Sequence, residues 1–241
     1  MIDKTMQTID SVVESAVFGS DDRIRQESRH RIRALAAERG IYPASIQEFY
    51  EAAGRGLYNG LTVPAINIRG ITYHVARAVF RAAVKDRVGA LILEIARSEI
   101  GYTDQRPGEY AACILAAAVR EGFVGPVFLQ GDHFQVKAEN YKTDSAKEVE
   151  AIKALVQEAV ESGFYNIDID ASTLVDLEKL TLDEQQEFNC RVTAEMTEFI
   201  RRLEPEGTTI SVGGEIGEVG KRNSTVEDLR AFMSGYLKQI G

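Results

Sequence analysis

A chain of 241 residues, 44% apolar and 27% charged, is long enough to bury one large core and has an ordinary soluble composition. Its 28 basic and 37 acidic side chains leave a net charge of −9, which argues against a nucleic-acid binder or an anionic-membrane binder. No run approaches the ~20 apolar residues of a membrane span, and the acidic start is neither a signal nor a transit peptide, so a cytoplasmic protein is expected. Cys113 and Cys190 have no metal-knuckle or disulfide spacing and read as thiols in a reducing compartment.

Residues 1–42 read as an extension of two amphipathic helices. Ile2, Met6, Ile9, Val13 and Val17 repeat at helical spacing, and Ile24, Ile32 and Leu35 mark a second segment. The second carries five arginines between 23 and 33, but Asp21, Asp22, Glu27 and Glu38 interleave, so it is a solvated face. From 43 to 241 a single pattern repeats: an apolar run, polar residues, then an amphipathic helix. The strands are expected at Thr62–Ile68, Ala90–Ala96, Pro126–Gln130, Tyr165–Ile169 and Thr208–Val212. The helices are expected at about 71–87, 107–122, 145–163, 182–204 and 225–239. Thr181 with Glu184, and Ser224 with Glu227, have capping-box spacing.

Near-continuous apolar strands alternating with helices predict a parallel sheet covered on both faces, either an open doubly wound sheet or a barrel. Five units occupy about 200 residues, whereas eight would need roughly 320 beyond the extension. In a barrel, the polar residues that follow each strand share one face. Those residues are Asn67, then Glu94 to Ser98, then Gln130-Gly131-Asp132-His133, then Asp168-Ile169-Asp170-Ala171-Ser172, then the segment from Gly213 to Gly220 with Glu215 and Glu218. Carboxylates and an imidazole entering from successive apolar strands need partners, which points to a metal or a catalytic constellation. The glycines at 213–220 do not suit a pyrophosphate, because Glu215 and Glu218 would place two negative charges on it.

These residues resemble the class II, metal-dependent ketose-bisphosphate aldolases over about 43–235. Leu61-Thr-Val-Pro-Ala-Ile-Asn67 is similar to the family's first strand, whose Asn lies near a substrate phosphate. Gln130-Gly-Asp132-His133 is similar to its Asp-His motif. Ile169-Asp170-Ala171-Ser172 and Gly214-Glu215-Ile-Gly are similar to its Asp-Gly-Ser and Glu-Leu-Gly segments. The resemblance implies an incomplete TIM (β/α)8 barrel, with 43–241 as the catalytic domain. It implies Asp132 as the proton donor and acceptor, His133 as a ligand of a catalytic Zn²⁺, and Asp170 and Glu215 as ligands of a second cation position. Asn67, Ser98 and Arg97 are the implied substrate contacts, since Ala96 stands where the family has a phosphate-binding serine.

The implied reaction is aldol cleavage and condensation of a ketose 1,6-bisphosphate, fructose or tagatose, in carbohydrate metabolism. A phosphorylated sugar is its partner, and the complete protein is a homo-oligomer. Cleavage leaves an enediolate whose charge Zn²⁺ stabilises as a Lewis acid, while a carboxylate beside it carries the hydroxyl proton. Two departures stand out. Gly220-Lys221-Arg222-Asn223 replaces the family's acidic base, leaving Glu218 as the substitute. His30 lies in the extension and His74 on the helix after the first strand, while family members draw two further zinc histidines from strands six to eight. The chain alone is therefore expected to be inactive, with a non-catalytic phosphosugar-binding or accessory subunit as the alternative.

Overall fold

The computed structural model describes the backbone of residues 4–217 and 222–240, with side chains from Ile9 onward; Glu218 and Lys221 lie outside the described residues. Two helices open the chain, α1 (Lys4–Phe18) and α2 (Asp22–Ala37), and Asp21 caps the second by accepting from the Ile24 N–H. A short strand, β1 (Ile41–Pro43), and a short helix, α3 (Gln47–Gly54), precede the repeating part.

That part comprises β2 (Ala65–Asn67), α4 (Thr72–Asp86), β3 (Ile92–Ala96), α5 (Arg97–Thr103), α6 (Pro107–Glu121), β4 (Gly125–Asp132), α7 (Ala138–Thr143), α8 (Ser145–Glu161), β5 (Asn166–Ile169), α9 (Leu182–Leu203), β6 (Ser211–Gly214) and α10 (Val226–Gln239). Strands β2 to β6 pair in sequence order and every pairing is parallel, as the alternation of strand and helix requires. No helix among the described residues is long and apolar enough to cross a membrane.

Strand alternation divides the sheet into two faces. Leu93 and Ile95, Val127 and Leu129, and Ile167 and Ile169 point into the core shared with the helices. Their neighbours Glu94, Gln130, Asp132, Asp168 and Asp170 point the other way. The strand's period of two thus places Ile169 in the helix-side core.

Helix α6 explains the extension. Residues Tyr110 to Val119 are apolar all round and buried on every side, which is the pattern of a helix covered by two layers. The sheet covers one side, while α1 and α2 pack on another. Arg29 of α2 reaches Glu109 of α6 at 3.0 Å. The extension is thus part of the same core.

Strand β1 was not anticipated, because three residues are too few to show a period. It pairs with the first half of β4, Ile41 opposite Gly125 and Pro43 opposite Val127, on the edge where β5 pairs with Gln130 and Gly131 higher up. The buried Asn166 side chain closes that fork. It accepts from the Ile46 N–H at 2.9 Å and donates to Leu129 O at 2.9 Å and Ala44 O at 3.2 Å. The last helix is capped one residue later than expected, by Thr225 with Asp228. Both frames satisfy the capping pattern, and the frame used lets Asp228 also receive Arg222 at 2.7 Å.

Candidate metal centre

Four adjacent strands deliver acids to the carboxyl-terminal edge of the sheet. Register sets Glu94 of β3 opposite Gln130 of β4, and Ala96 opposite Asp132. Gln130 Nε2 donates to Glu94 Oε2 at 2.9 Å, fixing that carboxylate over the sheet. Asp168 of β5 lies opposite Gly213 of β6, where a Cβ would stand 2.7 Å from Asp168 Oδ1. A glycine is needed there for Asp168 to fit. Glu215 follows β6, its carbonyl held by Asn189 Nδ2 of α9 at 2.8 Å.

Asp132, His133 and Asp168 each offer a ligand atom, all within 4.8 Å of one another. His133 Nδ1 donates to Asp132 Oδ1 at 2.8 Å, and Nε2 faces Glu215 Oε1 at 3.7 Å. The backbone of His133 is left-handed, with φ 42, an uncommon conformation for a residue bearing a side chain. Its N–H lies 3.4 Å from Asp168 Oδ2, and the following Phe134 N–H donates to Asp168 O at 2.9 Å.

Crowding sets the electrostatics. Burial, reinforced by Glu215 and Asp132 and opposed by His133, pushes Asp168 from 3.8 up to about 7. Burial and the Asp132 charge raise Glu94 to about 7. Burial also raises Glu215, with His133 opposing and Asp170 and Asp132 adding to the rise. Burial alone would lower His133, but the hydrogen bond and charge of Asp132, with Asp168 and Asp170, overcome it and raise the imidazole to about 8. One imidazolium is the main positive charge facing several carboxylates, an excess of negative charge that a cation would relieve.

The structure distributes the other sequence-derived residues unevenly. Asp170 is buried beside the cluster with both oxygens engaged. Oδ1 accepts from Ser172 N at 3.0 Å and Ser172 Oγ at 2.6 Å, and Oδ2 accepts from Gln135 Nε2 at 2.6 Å. Arg97 Nη1 is bonded to the buried Glu148 at 2.5 Å and to Gln135 O at 2.6 Å. Asn67 and the exposed Ser98 line a cleft of about 900 Å³ that reaches Asp132 and His133. Asn67 Oδ1 also accepts from Arg69 Nε at 3.2 Å. His30 and His74 are exposed on α2 and α4. Asp168 and Glu94 were not singled out from sequence. The signal for Asp168 was present, since a strand's period of two gives it the face of Asp170.

A parallel β/α sheet with an acid–imidazole cluster at its carboxyl ends defines an α/β protein of the TIM-like kind. The chain belongs to the fructose-bisphosphate aldolase class-II family, whose sequence profile matches residues 44–236. Among solved structures it is similar to a probable tagatose 6 phosphate kinase from Sinorhizobium meliloti 1021, with a TM-score of 0.52 and 17% identity. The match covers 74% of this chain and 45% of that one, and at this identity it shows the fold alone. No curated protein sequence matches the chain.

Proposed function

We propose that this centre holds a divalent cation, zinc by its mixed imidazole and carboxylate donors, and serves aldol cleavage and condensation of a ketose 1,6-bisphosphate, fructose or tagatose. The products would be dihydroxyacetone phosphate and glyceraldehyde 3-phosphate. The observation that carries this reading is the convergence of Asp132, His133 and Asp168 within 4.8 Å, in a chain of the aldolase family. The donors fit a cation: His133 Nε2, Asp168 and Glu215 would hold it, with Asp170 orienting the neighbouring loop. When bound, the cation supplies Lewis-acid stabilisation of the charge that develops as the carbon–carbon bond breaks.

Asp132 is the proton carrier. It takes the substrate hydroxyl proton in cleavage and returns it in condensation, with His133 Nδ1 fixing the direction of its carboxylate. Asn67 and Ser98 contact the substrate in the cleft, and Arg97, engaged by Glu148, shapes its wall. We place the protein in the cytoplasm as a homo-oligomer.

The test is zinc affinity, measured by competition with a chromogenic chelator. His133→Ala and Asp168→Ala should each weaken zinc at least tenfold, while Asp132→Ala leaves it near normal. In the active assembly that carries this chain, Asp132→Ala should lower turnover by ~10²–10⁴-fold, the usual worth of a general acid/base. Equal zinc loss in Asp132→Ala and His133→Ala would make Asp132 a ligand and remove it as the proton carrier. One observation favours a second reading, a non-catalytic phosphosugar-binding or accessory subunit. Among the described residues His133 is the single imidazole at the site, fewer than a catalytic zinc usually takes.

A further inference from the structure

Helix α10 is apolar on two opposite faces. One face packs on α9. Ala231 and Phe232 are buried there, and Gly235 lets the helices approach, since a Cβ at that position would stand 2.7 Å from Cys190 Sγ. The other face carries Val226, Leu229, Met233 and Leu237, exposed to 59%, 46%, 40% and 63%. At about 100° per residue these four fall within about 80° of one another, a stripe roughly opposite Gly235. Helix α6 shows the same apolar character on opposite sides and is covered on both. Helix α10 is covered on one. Exposed apolar residues scattered singly, such as Leu180, are ordinary, whereas four in line on one helix mark a contact surface.

The charges beside the stripe say what covers it. Glu227 in the first turn and Lys238 in the last are both exposed. Their separation is close to three whole turns, so they share one flank of the helix at its two ends. Lys238 has no ion pair among the described residues, and Glu227 makes only a loose contact with Arg230 at 3.9 Å. Against a second α10 running antiparallel, a flank meets the same flank reversed, so Glu227 of each copy meets Lys238 of the other. A parallel copy would set like charges level with one another at both ends and would align the two helix dipoles.

We infer that α10 is a self-docking surface, on which a second copy of this chain seats its own α10 antiparallel about a two-fold axis. Such a contact is isologous, so the stripe and the Glu227–Lys238 pair each serve twice. Met233 lies near the axis, and Val226 of each copy lies towards Leu237 of the other. The apolar stripe supplies the attraction, and the paired charges fix the direction. The contact is one helix wide and therefore small, so the dimer is a weak one with a micromolar dissociation constant. None of the stripe residues lines the cleft at Asp132 and His133, which stays open in the pair. The inference rests on the homo-oligomer placed above, whose surface it names, and is independent of the metal and aldol readings.

The test is sedimentation equilibrium of the full chain from low micromolar to several hundred micromolar protein. The parent should dimerise, and Met233→Asp should stay monomeric throughout. Leu180→Asp, on a loop away from α10, should dimerise as the parent does. Glu227→Lys should weaken the dimer at least tenfold, and adding Lys238→Glu to it should restore association to within threefold of the parent. That exchange of charges decides the matter even where Met233→Asp lowers stability, since both of its positions are exposed. A dimer left intact by Met233→Asp, or equally lost in Leu180→Asp, overturns the inference while the homo-oligomer stands. So does a Glu227→Lys variant that matches the parent, or one that Lys238→Glu fails to rescue. A parent that is monomeric at every concentration sinks the homo-oligomer as well.

Discussion

Neutralising Asp168 should stabilise the metal-free protein, and only above acidic pH. Its carboxyl is pushed from 3.8 to about 7, by burial first and then by Glu215, with Asp132 adding to it. The folded state therefore holds the proton more tightly than the unfolded state does. The contribution to stability is full below pH 4 and is lost as pH rises through 7. At about 1.4 kcal/mol per pH unit, that loss is about 4 kcal/mol. Part of the loss is shared with Glu215, which titrates against the same charge, so Asp168→Asn should recover ~2–4 kcal/mol at pH 8 and almost nothing at pH 4. Urea denaturation in the presence of a chelator, at pH 4, 6 and 8, measures this directly. A gain of the same size at pH 4 and pH 8 would trace the effect to packing. A loss at pH 8 would mean that the carboxylate is satisfied by partners within the chain, and the case for a cation at this site would fail. Adding zinc should reverse the order at pH 8, with the parent gaining more than the Asn variant.

Two further substitutions probe the frame of the site. Glu148→Ala removes the carboxylate that Arg97, Lys137 and Asn140 share, and an orphaned, largely buried guanidinium should lower unfolding free energy by about 3 kcal/mol in denaturant melts; Glu148→Gln, which keeps one acceptor oxygen for Arg97 and the Lys137 N–H, should lose less. Gly131→Ala would place a Cβ 2.5 Å from the Phe134 ring, so it should cost about 1–3 kcal/mol and weaken zinc by displacing His133; unchanged zinc affinity would show that His133 is positioned independently of that packing.

Much of the sheet was legible because its elements are long and strongly patterned. The five apolar runs and the amphipathic stretches after them correspond to β2–β6 and to α4, α6, α8, α9 and α10, with ends displaced by a few residues. What escaped was short or non-local. Strand β1 has three residues and is defined by pairing with β4 across about eighty residues of chain, which no local period encodes. Helices α5 and α7 are one or two turns long and occupy polar stretches after strand ends, where sequence pattern is weakest. At the site, motif order brought out Asp132, His133, Asp170 and Glu215. It did not bring out Asp168, whose Oδ2 faces the His133 N–H, beside Asp170, whose oxygens accept from Ser172 and Gln135. That distinction between Asp170 and Asp168 depends on loop geometry beyond the strand. The engagement of Arg97 by Glu148 is likewise a contact across 51 positions.

The backbone at His133 ties these observations together. An L-residue in the left-handed region costs about 1–2 kcal/mol, and His133 occupies it at φ 42 between a buried strand and a buried phenylalanine. The chain reverses there because Phe134 folds under Gly131, its ring filling the space where a side chain at 131 would lie. The Phe134 N–H is then captured by Asp168 O. That reversal turns the imidazole out between Asp132 and Glu215. A glycine at 131 admits Phe134, and a glycine at 213 admits Asp168. Both concessions serve to bring like charges together where folding alone would separate them. A sequence selected for stability alone would relax either feature. Strain at the imidazole and crowding of the acids fall together at one place, the carboxyl-terminal edge of the sheet, as is common where function rather than folding sets the geometry.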